Sequence, residues 1–373
     1  MRTRFLSLTL LATLALTSAA CTGGGGSQAP SGGAGLKIGF VTDVGRLEDK
    51  SFNEAAWLGI QDAKAKYNAE IDNIVTKDTK DYAANIKAFV DRGYQIIVTS
   101  GFAMGDATTI AAKQYPNVKF IGTDQGVCID KNAAPDPTFK CEGDPGTLLP
   151  NRQGIVYNEA QAGYLAGVVA ASISKTNVIG ALGAINTIPP VVKYIRGYIN
   201  GAKATNPSIT VLSKYFSTDI TKAFNDSASG KSIGQQMIGQ KADVLFQVAG
   251  LTGAGFLEAA CDGKVWGIGV DVDQWASLPN QQGCIVTSAE KHLRASVLAA
   301  IDRIQAKTDK GGTTSLDAKS DPVGIGVSDF HNHKDLITAD IQKKIDDALA
   351  ALKAGTIDAC GGVTNCGDPK GTE

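Results

Sequence analysis

The stretch "LKIGFVTDVGRLEDKSFNEAAWLGI", from Leu36 to Ile60, indicates the fold class more clearly than any other part of the sequence. Its first six residues are typical of a buried strand, and the residues from Asn53 onward have the spacing of an amphipathic helix. Between them lie Asp43, at the strand end, and a polar loop that carries one aromatic residue, Phe52. A strand, an acidic turn and a helix in this order predict the first unit of a doubly wound α/β sheet.

The same alternation of strand and helix continues along the chain in two units of similar size. Further strands are expected at Gln95–Gly101 and Lys119–Asp124 in the first unit, and at Asp243–Gly250 in the second. These strands are continuous apolar runs, as expected where helices cover both faces of a parallel sheet. The polar segment 126–153 interrupts the alternation, and another polar loop is expected after Lys307. The pattern predicts an α/β protein with two lobes.

The N-terminus carries the features of an export signal. Two arginines precede an apolar run, Phe5–Leu16, and small residues lead to Cys21, which starts a Gly/Ser-rich tether. A cysteine at this place resembles a bacterial lipoprotein processing site. We expect residues 1–20 to be a signal peptide and residues 21–35 a lipid anchor and tether, with lipidation at Cys21. Ordinary cleavage, with Cys21 incidental, is the alternative.

Six cysteines remain once Cys21 is set aside. They fall into three neighbouring pairs: Cys128 and Cys141, Cys261 and Cys284, and Cys360 and Cys366. Each pair can close a local loop as a disulfide, which is consistent with an exported protein. Zinc is the competing interpretation, but none of these spacings is the close C-x-x-C kind. We expect three local disulfides, no metal and no cofactor.

Charge and length restrict the class of protein. The formal net charge is −1 and no long basic stretch occurs, which argues against a nucleic-acid partner. About 335 residues follow the tether, more than one core usually serves, so two domains are expected. No later segment has the length and apolarity of a membrane span. We expect membrane attachment through the lipid alone.

Acidic residues follow several of the predicted strands: Asp43, Asp124, Asp271 and Asp273. In open α/β sheets, ligands collect outside the carboxyl ends of the strands. A carboxylate accepts paired hydrogen bonds from two hydroxyls or from an amine beside a ring nitrogen, and a ring such as Phe52 stacks on a flat ligand. For each acid singly, a helix cap or a turn is the competing interpretation. Together they predict a cleft for a polar, flat, hydroxyl-rich molecule.

Seven motifs run in order through nearly all of the chain after the tether. They are "DVGRLEDKSFNEAAWLGI" (43–60), "GTDQ" (122–125), "EAQAGYLAGVVAA" (159–171), "IGALGAINTIPPVVKYIRGYINGAKATNP" (179–207), "DVLFQVAGLTGAG" (243–255), "GVDVDQ" (269–274) and "TSAEKHL" (287–293). Together they resemble the basic membrane protein family of bacterial lipoproteins, which are purine-nucleoside receptors of ABC importers. The resemblance implies the type I periplasmic-binding fold, with a base held between two aromatic rings, one from each lobe.

The resemblance assigns five residues of the first lobe to the ligand. Phe52 is expected to stack on the base, with Ser51 or Asn53 beside it. Asp124 is expected to face the base edge, and Asp43 the sugar.

Four further residues follow from the same resemblance. Gly250 and Asp271 are expected to contact ribose hydroxyls, and Lys291 to lie at the hinge side of the cleft. Phe246, in the apolar run of its strand, is the candidate for the second ring, with plain core packing as the alternative.

The resemblance also implies lobes that are discontinuous in sequence, with three crossings between them. The expected ranges are 36–153 plus 285–322 for the first lobe, and 154–284 plus 323–373 for the second. The 128–141 segment is expected to influence the rim of the cleft.

The expected function is that of a monomeric receptor that passes a purine nucleoside to the permease and ATPase subunits of an ABC importer, without chemistry. A sugar receptor of the same fold and a nucleoside-processing enzyme are the alternatives. The sequence contains no nucleophile elbow and no P-loop, which disfavours the enzyme. His331 and His333, in "DFHNHKD", are a conceivable metal pair, with a solvated turn as the competing interpretation.

Overall fold

Two six-stranded sheets organise the protein, whose computed structural model describes residues 35–373. The predicted signal peptide, the tether up to residue 34 and Cys21 lie outside the described residues. Each sheet forms the centre of one lobe, with helices packed on both of its faces, as the apolar strands predict.

The first half of the chain builds most of the first lobe. Its elements are β1 (Lys37–Val44), α1 (Phe52–Tyr67), β2 (Glu70–Thr76), α2 (Tyr82–Asp91), β3 (Ile96–Ser100), α3 (Gly105–Gln114), β4 (Lys119–Thr123), α4 (Pro145–Leu148) and β5 (Arg152–Tyr157).

The second lobe repeats this order. Its elements are α5 (Glu159–Ile173), β6 (Val178–Gly183), α6 (Pro189–Thr205), β7 (Thr210–Tyr215), α7 (Ile220–Ala223), α8 (Ser227–Gly239), β8 (Val244–Val248), α9 (Gly250–Asp262), β9 (Trp266–Asp271), α10 (Gln274–Ser277) and β10 (Ile285–Lys291). The chain ends with α11 (Leu293–Gln305), β11 (Gly312–Leu316), β12 (Ile325–Val327) and α12 (Ala339–Ala354).

The strand orders show that the lobes have the same topology. The first sheet runs β11-β5-β4-β3-β1-β2 and is parallel throughout. The second runs β12-β10-β9-β8-β6-β7 and is parallel except for its edge strand β12. Two doubly wound α/β lobes of this kind confirm the predicted fold class.

Two of the three crossings between the sheets lie later in the chain than expected. The expected positions Gly154 and Ile285 fall within β5 and at the first residue of β10, so β5 belongs to the first sheet and β10 to the second. The chain instead crosses at Asn158 and at His292. The third crossing lies between β11 and β12, a stretch that includes its expected position at residue 323. The sequence hides this because each of these two crossings, at Asn158 and His292, directly follows a strand and leads into a helix that packs on the other lobe: α5 packs on α6, and α11 on α1.

Strand β11 lies where the sequence predicts a polar loop after Lys307, so that prediction is wrong for residues 312–316. Its sequence, "GTTSL", pairs in parallel with β5 at the edge of the first sheet. An edge strand is covered on fewer sides than a central one, so its side chains can stay polar and the apolar signal is lost.

Helices α5 and α6 approach each other closely through four glycines. A Cβ atom on Gly163 or Gly167 would lie 2.2 or 2.1 Å from a carbonyl oxygen of α6. A Cβ on Gly197 or Gly201 would lie 2.0 Å from a carbonyl oxygen of α5. This contact fixes α5 to the second lobe, although α5 follows a strand of the first.

The three predicted disulfides are all present. They join Cys128 to Cys141, Cys261 to Cys284 and Cys360 to Cys366.

Candidate ligand-binding site

A cavity between the two lobes brings together eight of the nine predicted ligand residues. These are Asp43, Ser51, Phe52, Asn53, Asp124, Gly250, Asp271 and Lys291. They come from the carboxyl ends of the strands and the first turns of the helices, where ligands bind in open α/β sheets. Of the described residues, none between 126 and 151 lines the cavity, so the disulfide-closed segment lies away from its wall.

Phe246 is the exception, and the prediction that it supplies a ring to the cleft is wrong. It is fully buried in β8 and stacks on Tyr198 of α6, with the ring centroids 4.8 Å apart. The cavity instead receives Phe224, which follows α7 and is half-buried. Phe224 lies beside Gly250, where a Cβ would be 3.5 Å from the Phe224 side chain.

A signal for Phe224 is present in the sequence. Phe224 stands in "KAFND" (222–226), which repeats the pattern of "KSFNE" (50–54) around Phe52. In both, a lysine precedes and an asparagine and an acid follow an aromatic residue, and both asparagines, Asn53 and Asn225, line the cavity. A search for aromatic residues in polar loops would have found both rings.

The loop before α1 is held by Asp49, which presents Phe52 to the cavity. The Asp49 carboxylate accepts backbone hydrogen bonds from Ser51, Asn53 and Glu54 at 3.0, 2.9 and 3.2 Å. These bonds satisfy amide groups at the start of the helix that would otherwise lack partners. The Asn53 side chain connects the two ends of this loop by donating a hydrogen bond to the carbonyl of Arg46 at 3.2 Å. Arg46 itself is exposed and lines the cavity.

Asp43 lies at the end of β1 and is held from two sides. It accepts a hydrogen bond from the Val44 amide at 2.6 Å and a short one from the Tyr82 hydroxyl. A Cβ on Gly101, after β3, would lie 2.7 Å from the Asp43 side chain, so glycine is required there. Burial raises the pKa of Asp43. Tyr82 was not predicted, because its role depends on α2 packing beside β1.

Asp124 forms a buried ion pair with Lys291 at the hinge side of the cavity. The Lys291 Nζ atom lies 2.9 and 2.8 Å from the two Asp124 oxygens and 3.2 Å from Glu159 Oε1. Burial raises the pKa of Asp124, and the Lys291 ammonium opposes that rise. Burial alone would lower the pKa of Lys291, but its attraction to Asp124, Glu159 and Asp271 outweighs burial and raises it.

Three aromatic rings surround the Lys291 ammonium. Its Nζ atom lies 5.2 Å from the ring centres of Phe52 and Tyr157 and 5.5 Å from that of Tyr194. These distances are in the range of cation–π contacts. Because these rings come from α1, β5 and α6, Lys291 joins both lobes at the hinge.

Asp271 connects the lobes directly. Its Oδ2 atom accepts a hydrogen bond of 2.6 Å from the Ser51 hydroxyl of the first lobe. Next to it, Gln274 and Ser277 donate to the Lys50 carbonyl at 3.2 and 3.0 Å. These three bonds hold the lobes closed on each other.

The two C-terminal histidines play structural roles. His331 lies 2.7 Å from Asp273 Oδ2 and stacks on Trp275, with the ring centroids 4.1 Å apart. His333 is buried and bonds to the Gln282 carbonyl, so this segment is not the solvated turn that was expected. Residues 35–373 contain no group of three or more His, Cys, Asp or Glu residues arranged to hold a metal.

Comparison with known proteins identifies the family. A sequence profile described as "ABC transporter substrate-binding protein PnrA-like" matches residues 37–357. The chain belongs to this family, the basic membrane protein (Bmp) family, as its motifs predicted.

Named relatives resemble the chain over most of its length. It is 30% identical to the ABC transporter nucleoside-binding protein BmpA of Lactococcus lactis subsp. cremoris, over 92% of this chain and 95% of the relative. It is 28% identical to basic membrane protein A of Borreliella burgdorferi, over 94% and 93%. An uncharacterized lipoprotein of Pyrococcus furiosus is 30% identical over 82% and 73%.

Solved structures show the same fold. A solute-binding protein of an ABC transporter system from Aeropyrum pernix K1 superimposes with a TM-score of 0.73 at 22% identity, covering 87% of this chain and 92% of the other. One from Conexibacter woesei gives 0.67 at 23% identity, covering 89% and 99%. The protein is therefore a substrate-binding protein of the ABC transporter class, with the type I periplasmic-binding fold. No helix in residues 35–373 has the length and apolar character needed to cross a membrane.

Proposed function

We propose that the protein captures a purine nucleoside between its lobes and delivers it to the permease of an ABC importer without altering it. The observation that carries the proposal is the pairing of carboxylates and aromatic rings in one cavity. Asp43 and Asp124 reach it from the first lobe and Asp271 from the second. Phe52 and Phe224 line it from the first and the second lobe. A nucleoside combines the two features that such groups recognise, a flat base and adjacent hydroxyls.

In this proposal the base lies between Phe52 and Phe224, with Ser51 and Asn53 beside it. Asp124 faces the base edge, where a carboxylate can accept from an amine or a ring N–H.

The sugar lies deeper against both lobes. Asp43 and Asp271 accept hydrogen bonds from its hydroxyls, Gly250 lets the backbone approach the ring, and Lys291 stabilises the carboxylates around it. Ligand favours closure because its contacts come from both lobes.

The relatives named lipoproteins support attachment of the exported protein to the membrane through a lipid on Cys21. In this proposal the protein acts as a monomer, has the permease and its ATPase subunits as partners, and needs no cofactor.

Calorimetric titration with adenosine, guanosine, inosine, cytidine and ribose tests the ligand class. We expect one of the purine nucleosides to bind most tightly and to be recovered unchanged. Tight binding of ribose without any nucleoside would favour the sugar receptor, and turnover of a nucleoside would favour the enzyme; either result would contradict the proposal.

A further inference from the structure

Arg152, the first residue of β5, is a buried cation without a neutralising carboxylate. Its side chain is 0% exposed, and no ion pair reaches it from any residue between 35 and 373. Burial lowers the pKa of its guanidinium to about 9. A buried charge without a counter-ion is unfavourable for folding. Such a residue therefore points to a role other than stability.

The Arg152 side chain is directed at the residue that follows Asp124. Its Nη2 atom donates to Gln125 Oε1 at 2.6 Å. The other end of the same amide, Gln125 Nε2, donates to the Gly101 carbonyl at 3.0 Å and to Thr99 Oγ1 at 3.1 Å. The Gln125 side chain is 1% exposed, so these bonds are made away from water.

Neighbouring glycines leave the space for this contact. A Cβ on Gly122 would lie 2.1 Å from Gln125 Oε1 and 2.7 Å from Arg152 Nη2. A Cβ on Gly154 would lie 2.2 Å from the Gln125 carbonyl oxygen. Two strands of the first sheet therefore lack side chains where the Arg152–Gln125 pair lies.

The backbone that this pair holds is strained. Asp124 has φ 58°, a left-handed conformation that costs free energy for a residue with a side chain. The surroundings must enforce such a conformation, and Gln125 is anchored on both sides of it, by Arg152 and by the Gly101 turn. The Gly101 turn in turn contacts Asp43.

We propose that Arg152 is a positioning residue for base recognition, which acts through Gln125 to hold Asp124 in the orientation that reads the base edge. The inference rests on the proposed function, in which Asp124 faces the base. Arg152 does not line the cavity, so it affects the ligand only through its neighbours.

The test compares the best-bound purine nucleoside with purine riboside, which has the same sugar and ring system but no exocyclic group and no ring N–H. Wild-type protein is expected to bind the former roughly tenfold or more tightly. Arg152→Met is expected to reduce that ratio to about threefold or less, with little change in the affinity for purine riboside. Its melting temperature should equal or exceed that of wild type, because a buried unpaired charge is removed.

Arg303→Met is the matched control. Arg303 also donates to a glutamine on β5, Gln153, at 3.1 Å, but it makes no hydrogen bond to Gln125. This variant is expected to keep the wild-type ratio. A general loss of rigidity would weaken both ligands equally, whereas the proposed role changes their ratio.

Each outcome has a separate meaning. If wild type binds no nucleoside, the proposed function fails and this inference with it. If wild type binds the purine nucleoside more tightly than purine riboside and folded Arg152→Met shows the same ratio, this inference alone is overturned. Should Arg152→Met fail to fold, Gln125→Leu makes the same test from the other partner, and unchanged discrimination there would overturn the inference.

Discussion

The two lobes hold equivalent carboxylates in the same backbone conformation but by different chemistry. Asp124 follows β4 of the first lobe with φ 58°, and Asp271 ends β9 of the second with φ 64°. A buried glutamine supports each. Gln125 Oε1 accepts from the cationic Arg152, whereas Gln274 Oε1 accepts from a neutral amide, Gln247 Nε2, also at 2.6 Å.

The difference extends to the partners across the cleft. Asp124 bonds to an ammonium on the second sheet, Lys291, and Asp271 bonds to a hydroxyl of the first lobe, Ser51. Each lobe therefore supplies an acid that bonds across the cleft. Asp124 bonds to a buried charge, and Asp271 bonds to a neutral group. Because unpaired buried charges cost more than unpaired neutral groups, the first-lobe site should tolerate substitution less.

The rings of the second lobe give the largest expected effect. Phe246→Ala should lower the free energy of unfolding by about 3–5 kcal/mol, because it empties a packed core. Phe224→Ala should leave stability nearly unchanged but weaken nucleoside binding by about 1 kcal/mol or more, as Phe52→Ala should. Denaturant unfolding measures the change in stability, and calorimetry measures the change in nucleoside affinity. The assignment of Phe224 as the partner of Phe52 would fail if Phe224→Ala bound as wild type does.

The two carboxylates come next. Asp124→Ala should cost about 3 kcal/mol of unfolding free energy, because Lys291 loses its nearest counter-ion while it stays buried. Asp271→Ala should cost about 1 kcal/mol, since only a neutral hydroxyl loses its partner. Adding Lys291→Met to Asp124→Ala should restore stability without restoring nucleoside affinity. Equal losses of unfolding free energy in the two single variants would contradict the proposed difference between the lobes.

The bond between the lobes gives a smaller effect. Ser51→Ala should weaken nucleoside binding by about 1 kcal/mol, because the closed form loses the hydrogen bond to Asp271. Small-angle scattering with and without nucleoside should show a larger open fraction in the ligand-free variant than in wild type. Ser277→Ala, which removes a neighbouring bond between the lobes, should also increase the open fraction. A smaller open fraction in either variant would contradict the view that these bonds hold the lobes closed.

The hinge gives the smallest effect. His292 Nδ1 lies 2.8 Å from the Val323 carbonyl and Nε2 3.5 Å from Glu290, so both nitrogens face acceptors. The bond to Glu290 raises the pKa of His292 above 6.5. The contribution of this bond to folding stability is complete at pH values below the pKa of His292 in the unfolded chain. It is lost as the pH rises through the higher pKa of His292 in the folded protein. The melting temperature should therefore fall slightly from about pH 6 to 8 in wild type but less in His292→Gln, and identical slopes would refute the hinge contact.

Much of the site was predictable from sequence because its first-lobe part lies mainly in one continuous segment. The motif from Asp43 to Asn53 holds a strand end, a loop and a helix start, and strand-end logic adds Asp124 and Asp271. These positions follow from local pattern and from the general rule for parallel sheets.

The remaining site residues depend on tertiary packing. Tyr82, Glu159 and Arg152 meet their partners only after α2, α5 and β5 are placed, and their own sequence surroundings are ordinary. Two of the three crossings lie away from their expected positions for the same reason, since local pattern cannot say on which lobe a helix packs. Phe246 lies in the apolar run of a strand, and such a run predicts core packing better than ligand contact.

A crystal structure of the protein with a bound purine nucleoside tests the central claim most directly. We expect the base between Phe52 and Phe224, its edge within hydrogen-bonding distance of Asp124, and ribose hydroxyls on Asp43 and Asp271. A nucleoside bound outside the cavity, or inside it with the sugar rather than the base between the two rings, would contradict the proposed binding mode.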